Sequence, residues 1–264
     1  MEKIQLFCVK HRFLGTLIAA LIYIIPFTVI FNVFNASLTT YIVAYLIIVT
    51  MSMLLVSSAS TALTMSVVKK LNDECDPYPL LEMSEKIIAH TQSTSEGITA
   101  RINRCVALLD TGEYEKYLAE MRDIAIESHL GILPQTKFVY YNNLSVAYIA
   151  LDDAEKARIW LEKSAEFLPA VKNKKISASL KDTHLFTNAE LLILEGKPEE
   201  ASGLLKAVEN NSRARSVHLA LASARANAAL GNIERATEDL KYVIATGNKL
   251  YAVTEAKELL GKLA

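Results

Sequence analysis

The chain has 264 residues and a formal net charge of -1, with 28 Lys and Arg against 29 Asp and Glu. That length holds one medium domain and an appendage, and the balanced charge excludes a chain-wide field drawing nucleic acid. The hydrophobic fraction of 52% is unevenly spread, because no Lys, Arg, Asp or Glu occurs between Phe13 and Val68.

Residues 1–12 form a short N-terminal segment, and residues 13–34 read as a first transmembrane helix. The 22 residues from Phe13 to Phe34 span about 33 Å as a helix, enough for a hydrocarbon core of about 30 Å. Pro26 in mid-run is tolerated in lipid as a kink. The run exceeds the roughly 7–15 residues of a signal-peptide core, so it reads as a retained span.

Residues 35–37, Asn35-Ala36-Ser37, form a short external turn, which forces a tight antiparallel hairpin. The glycosylation sequon they spell lies too close to the membrane and reads as a turn. Residues 38–68 form the second transmembrane helix. Leu38–Val56 suffices to cross, and the Ser/Thr/Ala-rich continuation carries the helix towards the headgroups on the cytoplasmic side. Ser52, Val56, Ser60 and Thr64, beside Ser58, Ala62 and Ser66, allow close packing. That packing serves the hairpin itself or self-association through it. Neither span holds Asp, Glu, Lys, Arg or His, so no proton or ion path is expected.

Lys3, Lys10 and Arg12 precede the hairpin and Lys69 and Lys70 follow it, while the turn has no positive residue. The positive-inside rule then places both termini in the cytoplasm. The expected localisation is an integral protein of two spans, and the compact hairpin and short N terminus point to a bacterial plasma membrane. Cys8, Cys75 and Cys105 are widely spaced, form no CxxC pair and suit a reducing compartment.

From Asp73 onward the pattern changes to amphipathic helices of about 12–18 residues rich in Ala, Leu, Glu and Lys. Residues 69–94 read as a lead-in helix and linker, 95–248 as helical repeats and 249–264 as a C-terminal capping helix. Four segments share a breaker followed five positions later by a residue that must fit between helices: Gly112/Tyr117, Asp152/Ala157, Gly196/Ala201 and Gly231/Ala236. The second members are 40, 44 and 35 residues apart. The acidic pairs Glu113/Glu115, Asp152/Asp153 and Glu199/Glu200 begin second helices, where they favour the positive helix end.

Phe138–Pro169 resembles a complete tetratricopeptide repeat. Tyr141, Leu144, Ser145 and Tyr148 occupy the signature places of its first helix, Ala157, Leu161 and Ser164 those of the second, and Pro169 closes the unit. The small Ser145 and Ala157 let the two helices approach. The segments around Ala189, Gly196 and Ala201, and around Ala224, Gly231 and Ala236, match less fully. In the first unit, Ile98–Ile126, Arg101 and Arg104 fall where apolar residues belong. A related helical-hairpin repeat fits the same features. The fold class expected is all-α: a transmembrane hairpin followed by a tetratricopeptide-like α-solenoid.

The resemblance implies a concave groove for a protein or peptide partner, exposing Val139, Asn142, Val146 and Ile149. It lacks the Lys/Asn pattern that clamps a C-terminal carboxylate. No phosphate-binding glycine motif, catalytic set, metal site or cofactor site is visible, and His90, His129, His184 and His218 each stand alone in the sequence. Lys172, Lys174, Lys175 and Lys181 read as a solvated interhelical loop, with no nucleic-acid partner. The function expected is a non-enzymatic, membrane-anchored cytoplasmic scaffold or adaptor that assembles proteins at the lipid bilayer. The alternative is a regulator that couples peptide binding in the groove to the transmembrane hairpin.

Overall fold

Alternate helices in the C-terminal part of the chain stop where the backbone turns left-handed. The computed structural model describes residues 4, 7, 8, 11–34, 37–91, 95–124, 126, 127 and 131–263. In it Gly112, Asp152, Gly196 and Gly231 have φ of 77, 56, 74 and 78°. At each stop two backbone bonds close the preceding helix in the same way. Gly112 N donates to Leu109 O and Glu113 N to Leu108 O, and the pattern recurs through Gly231 N to Ala228 O and Asn232 N to Asn227 O. These paired bonds are Schellman closures, which satisfy carbonyls that the helix leaves open. Tyr117, Ala157, Ala201 and Ala236, five positions beyond the stops, have no exposed surface. The breaker and contact residue read in the sequence are thus a helix stop and a buried position one turn into the next helix.

Twelve α-helices occur among the described residues: α1 Arg12–Val33, α2 Leu38–Glu74, α3 Tyr78–Thr91, α4 Ser95–Asp110, α5 Tyr114–Arg122, α6 Pro134–Ala150, α7 Ala154–Ala165, α8 Lys174–Leu194, α9 Pro198–Leu205, α10 Arg213–Ala229, α11 Ile233–Thr246 and α12 Ala252–Leu263. With 83% helix and no strand among the described residues, the chain is all-α. It divides into two compact units, Met1–Val68 and Lys69–Ala264. The sequence readings at Lys3, Lys10, Asn35, Ala36 and His129, and those on the side chains of Arg12, Ser60 and His90, lie outside the described residues.

In the first unit two helices are long and apolar enough to cross a membrane. They run antiparallel: Tyr41 Oη donates to Asn32 Oδ1 at 2.8 Å, Thr28 Oγ1 lies 2.8 Å from Tyr45 Oη, and Gly15 faces Val56. Hydroxyls on these helices bond back to their own turn, as Thr28 Oγ1 does to Ile24 O, Thr50 Oγ1 to Leu46 O and Ser58 Oγ to Leu55 O. Such bonds satisfy a hydroxyl without water. α2 continues past the expected end at Val68 to Glu74, because nothing between those residues breaks a helix.

In the second unit, consecutive helices pack as neighbours across short connections, most extensively α6 with α7, α10 with α11 and α3 with α4. Ser145 Oγ donates to Ala157 O at 2.8 Å where α6 and α7 meet. Tyr141 stacks on both Trp160 and Phe167, and its hydroxyl donates to Glu127 Oε1 at 2.6 Å. Leu144 and Leu161 are buried in these layers, and Tyr148 packs against them with Lys156 over its ring. Arg101 and Arg104, out of place as apolar positions, both pair with Glu120 on α5. An ion-pair cluster therefore joins α4 to α5 where the repeat pattern expects hydrophobic contact. Of the lysine-rich stretch only Lys172 lies in an exposed connection: Lys174, Lys175 and Lys181 are exposed positions of α8, which Asn173 caps by accepting from Lys175 N and Ile176 N.

The unit's two ends meet. The loop before α12 docks on the end of α2, with Asn248 Nδ2 donating to Glu74 O at 2.7 Å and Lys249 N to Cys75 O at 3.2 Å. Tyr251 N donates to Asp110 O at 2.8 Å, and its ring covers Gly112 and meets Tyr114 edge-on.

Candidate functional site

Helix stops of one kind, repeated, bring alternate helices to one side of the second unit, and that side holds an open cavity of about 700 Å³. α6 contributes Asn142, Asn143, Val146 and Ile149, α8 Glu190, α10 His218 and Arg225, and α12 Glu255, while Asp110 sits at the end of α4. Volumes of about 300–1,000 Å³ are those of small-ligand pockets.

Of the four expected groove residues, Asn142, Val146 and Ile149 line this cavity. Val139 does not. It lies a turn nearer the start of α6, partly buried against the cluster of Phe138, Val171 and Leu180. The repeat-packing residues lie elsewhere, between helices: Ala157, Ala189, Ala201, Ala224 and Ala236 have no exposed surface, and Gly196 and Gly231 are exposed stops.

The cavity's charges come from residues far apart in sequence. His218 Nε2 lies 3.2 Å from Asp110 Oδ1, Arg225 Nη2 lies 2.9 Å from Glu255 Oε1, and Arg225 Nη1 lies 3.9 Å from Glu190 Oε1. Arg215 is held at 2.8 Å by Asp182, and its guanidinium covers the Phe186 ring. Burial alone lowers the proton affinity of His218. The hydrogen bond to Asp110 and the charges of Asp110, Glu190 and Glu255 outweigh it and leave the imidazole's pKa above its ordinary value. Burial, with the charge of Glu255, raises the Glu190 carboxyl against the opposing pull of Arg225 and His218. Tyr114, beside Glu255, is raised by burial first. Low local dielectric strengthens each of these interactions and makes an unmet polar group costly.

Two such unmet atoms sit on α6: Asn142 Oδ1 and Asn143 Nδ2 are buried with no hydrogen-bond partner. Asn142 is only 1% exposed. The cavity therefore offers a free acceptor, a free donor and desolvated charges, an arrangement suited to orienting a polar ligand. No group of three or more His, Cys, Asp or Glu able to hold a metal ion occurs among the described residues.

His218 does not stand alone as its sequence context implies, and His184 likewise lies 3.4 Å from Ser164 Oγ. Sequence reasoning missed Asp110, Glu190, His218, Arg225 and Glu255. One signal was present: Arg215, His218 and Arg225 recur at spacings of three and seven on one face of an Ala-rich helix. No family model matches the chain, and neither curated proteins nor solved structures gave a match.

Proposed function

We propose that this chain is a membrane-anchored, tetratricopeptide-like α-solenoid that binds an extended peptide segment of a partner in the cavity of its second unit. The observation that carries the reading is the polar cavity itself, with Asn142 and Asn143 holding unmet hydrogen-bonding atoms in its wall. A peptide backbone supplies donors and acceptors in alternation, which is the complement of that pair.

The anchor reading rests on unit one. Only 11% and 17% of the most apolar windows of α1 and α2 are buried within the chain, so Ile22, Ile25, Leu46, Ile47 and Leu54 present an apolar surface outward. Patches of that extent call for lipid or another apolar partner. A crevice of about 540 Å³ between the helices, with Leu17, Ala20, Val49 and Val56 in its walls, suits hydrocarbon. Lys69 and Lys70, exposed beyond the apolar run, support a cytoplasmic second unit and a scaffold or adaptor role at the membrane. A bacterial plasma membrane remains part of this reading.

A second reading, a sensor that couples peptide binding to the membrane hairpin, is favoured by one observation. The loop before α12, whose Tyr251 borders the cavity, docks on Glu74 at the end of α2.

Native mass spectrometry of the full chain in detergent tests the binding mode, with Val146→Trp to fill the cavity. The expected result is a co-purifying peptide of low mass on the wild type that is lost in the variant. A folded protein companion retained equally by both would overturn the cavity reading.

A further inference from the structure

The charges that line the cavity do not balance. Asp110, Asp152, Glu190 and Glu255 line it against Arg215, His218 and Arg225, four carboxylates against three basic groups. His218 is bonded to Asp110 and Arg225 to Glu255. Glu190 is left 3.9 Å from Arg225, beyond hydrogen-bond reach. Arg215 acts on Glu190 only through its charge, since its hydrogen bonds go to Asp182, and Asp152 is exposed in the turn after α6. Glu190 has a side chain 16% exposed and no hydrogen-bond donor within reach among the described residues.

A carboxylate in that position calls for a donor, and a charged donor forms the stronger bond. Asn142 Oδ1, on the neighbouring helix α6, is a second acceptor without a partner, and its side chain is almost wholly buried. An anionic ligand has no equivalent welcome, since each cation already serves a carboxylate.

Resting on the peptide-binding reading above, we propose that the cavity recognises an ammonium group, with Glu190 as its counter-ion and Asn142 as a second acceptor. An ammonium has three donors, enough for both. Asn143 Nδ2, the unmet donor on the same helix, fits the carbonyl two bonds from an α-amine. That arrangement favours the free N terminus of a peptide over a lysine side chain, which carries no carbonyl beside its nitrogen. The raised proton affinity of the buried Glu190 is relieved when a cation arrives.

The test is equilibrium dialysis of the full chain in detergent against three random pentapeptide mixtures: lysine-free with free N termini, the same mixture acetylated, and an acetylated mixture containing lysine. The free mixture should be retained at least about tenfold over its acetylated form, the difference of one charge-assisted bond. Glu190→Gln should remove most of that preference, while Lys163→Ala, on the outside of α7, should leave it intact. Retention of the acetylated lysine mixture alone would keep the ammonium and move its source to a side chain. Equal or better retention of the acetylated lysine-free mixture overturns the ammonium site but leaves the cavity as a peptide site. Retention of none of the three overturns both. The wild-type comparison decides the chemistry even if Glu190→Gln loses its helicity, and an unchanged preference in a folded Glu190→Gln removes Glu190 from the site.

Discussion

Lys249 Nζ lies 2.6 Å from Asp76 Oδ2, across 173 positions of the chain. Together with Asn248 and Tyr251 it brings the last helix of the second unit back to the first, so that every helix from α3 to α12 has neighbours within the unit. We therefore expect residues 69–264 expressed alone to be soluble and strongly helical by circular dichroism, and to unfold in one cooperative transition. Aggregation, or two separate transitions, would mean that the unit depends on the apolar helices.

The two side chains of this junction should contribute unequally. Lys249 is half-exposed, with a side chain 52% accessible, so its ion pair is worth less than about 1 kcal/mol. Asn248 donates to a backbone carbonyl at the end of α2 while holding φ at 49°. Asn248→Asp keeps the tolerance for that backbone conformation and removes the donor, at a cost of about 1 kcal/mol or more. Urea unfolding of the 69–264 fragment should rank Asn248→Asp above Lys249→Ala, and the reverse order would contradict the geometry.

Gly112 and Gly196 share a left-handed backbone but differ in their surroundings. A Cβ on Gly196 would meet nothing within 4 Å, whereas one on Gly112 would fall 2.5 Å from the Tyr251 ring. Gly196→Ala should cost about 1 kcal/mol from the backbone alone. Gly112→Ala should cost about 1–3 kcal/mol more, since Tyr251 is tied by its backbone and cannot step aside freely. Equal unfolding midpoints for the two variants would show that the ring moves at no cost.

Ala157 has no exposed surface, and its carbonyl accepts from Ser145 on the facing helix. Ala157→Leu should destabilise the fragment by about 1–3 kcal/mol through overpacking. A neutral result would place the closest approach of α6 and α7 elsewhere.

His218 sets a pH dependence of definite sign. Its pKa in the folded chain is raised above the ordinary 6.5, so the native state holds the proton more tightly than the unfolded chain. That contribution is complete below the unfolded value and is lost as pH rises through the folded one. Glu190, also raised, acts in the same sense above the usual carboxyl range. The urea midpoint of the fragment should therefore fall as pH is taken upward from about 6.5, and His218→Gln should flatten that slope. A midpoint that rises over the same interval would reject the His218–Asp110 pairing.

What this sequence determines by itself is whatever depends on local period and local backbone. The charge-free stretch from Phe13 to Val68 makes two long apolar helices, because composition alone decides whether a helix can cross lipid. The stops at Gly112, Asp152, Gly196 and Gly231 are legible because a left-handed residue is chosen by its own side chain. Tyr117, Ala157, Ala201 and Ala236 follow from them at a fixed helical offset. The cavity is of another kind. Arg101 and Arg104 look misplaced until Glu120 is brought against them, and Val139 looks like a groove residue until it packs against the cluster of Phe138, Val171 and Leu180. Asp110 and His218, like Glu190, Arg225 and Glu255, each read as an ordinary polar residue on a helix face. Only the packing of α4, α6, α8, α10 and α12 into one unit brings those residues to one cavity, because they lie far apart in sequence and no local period links them.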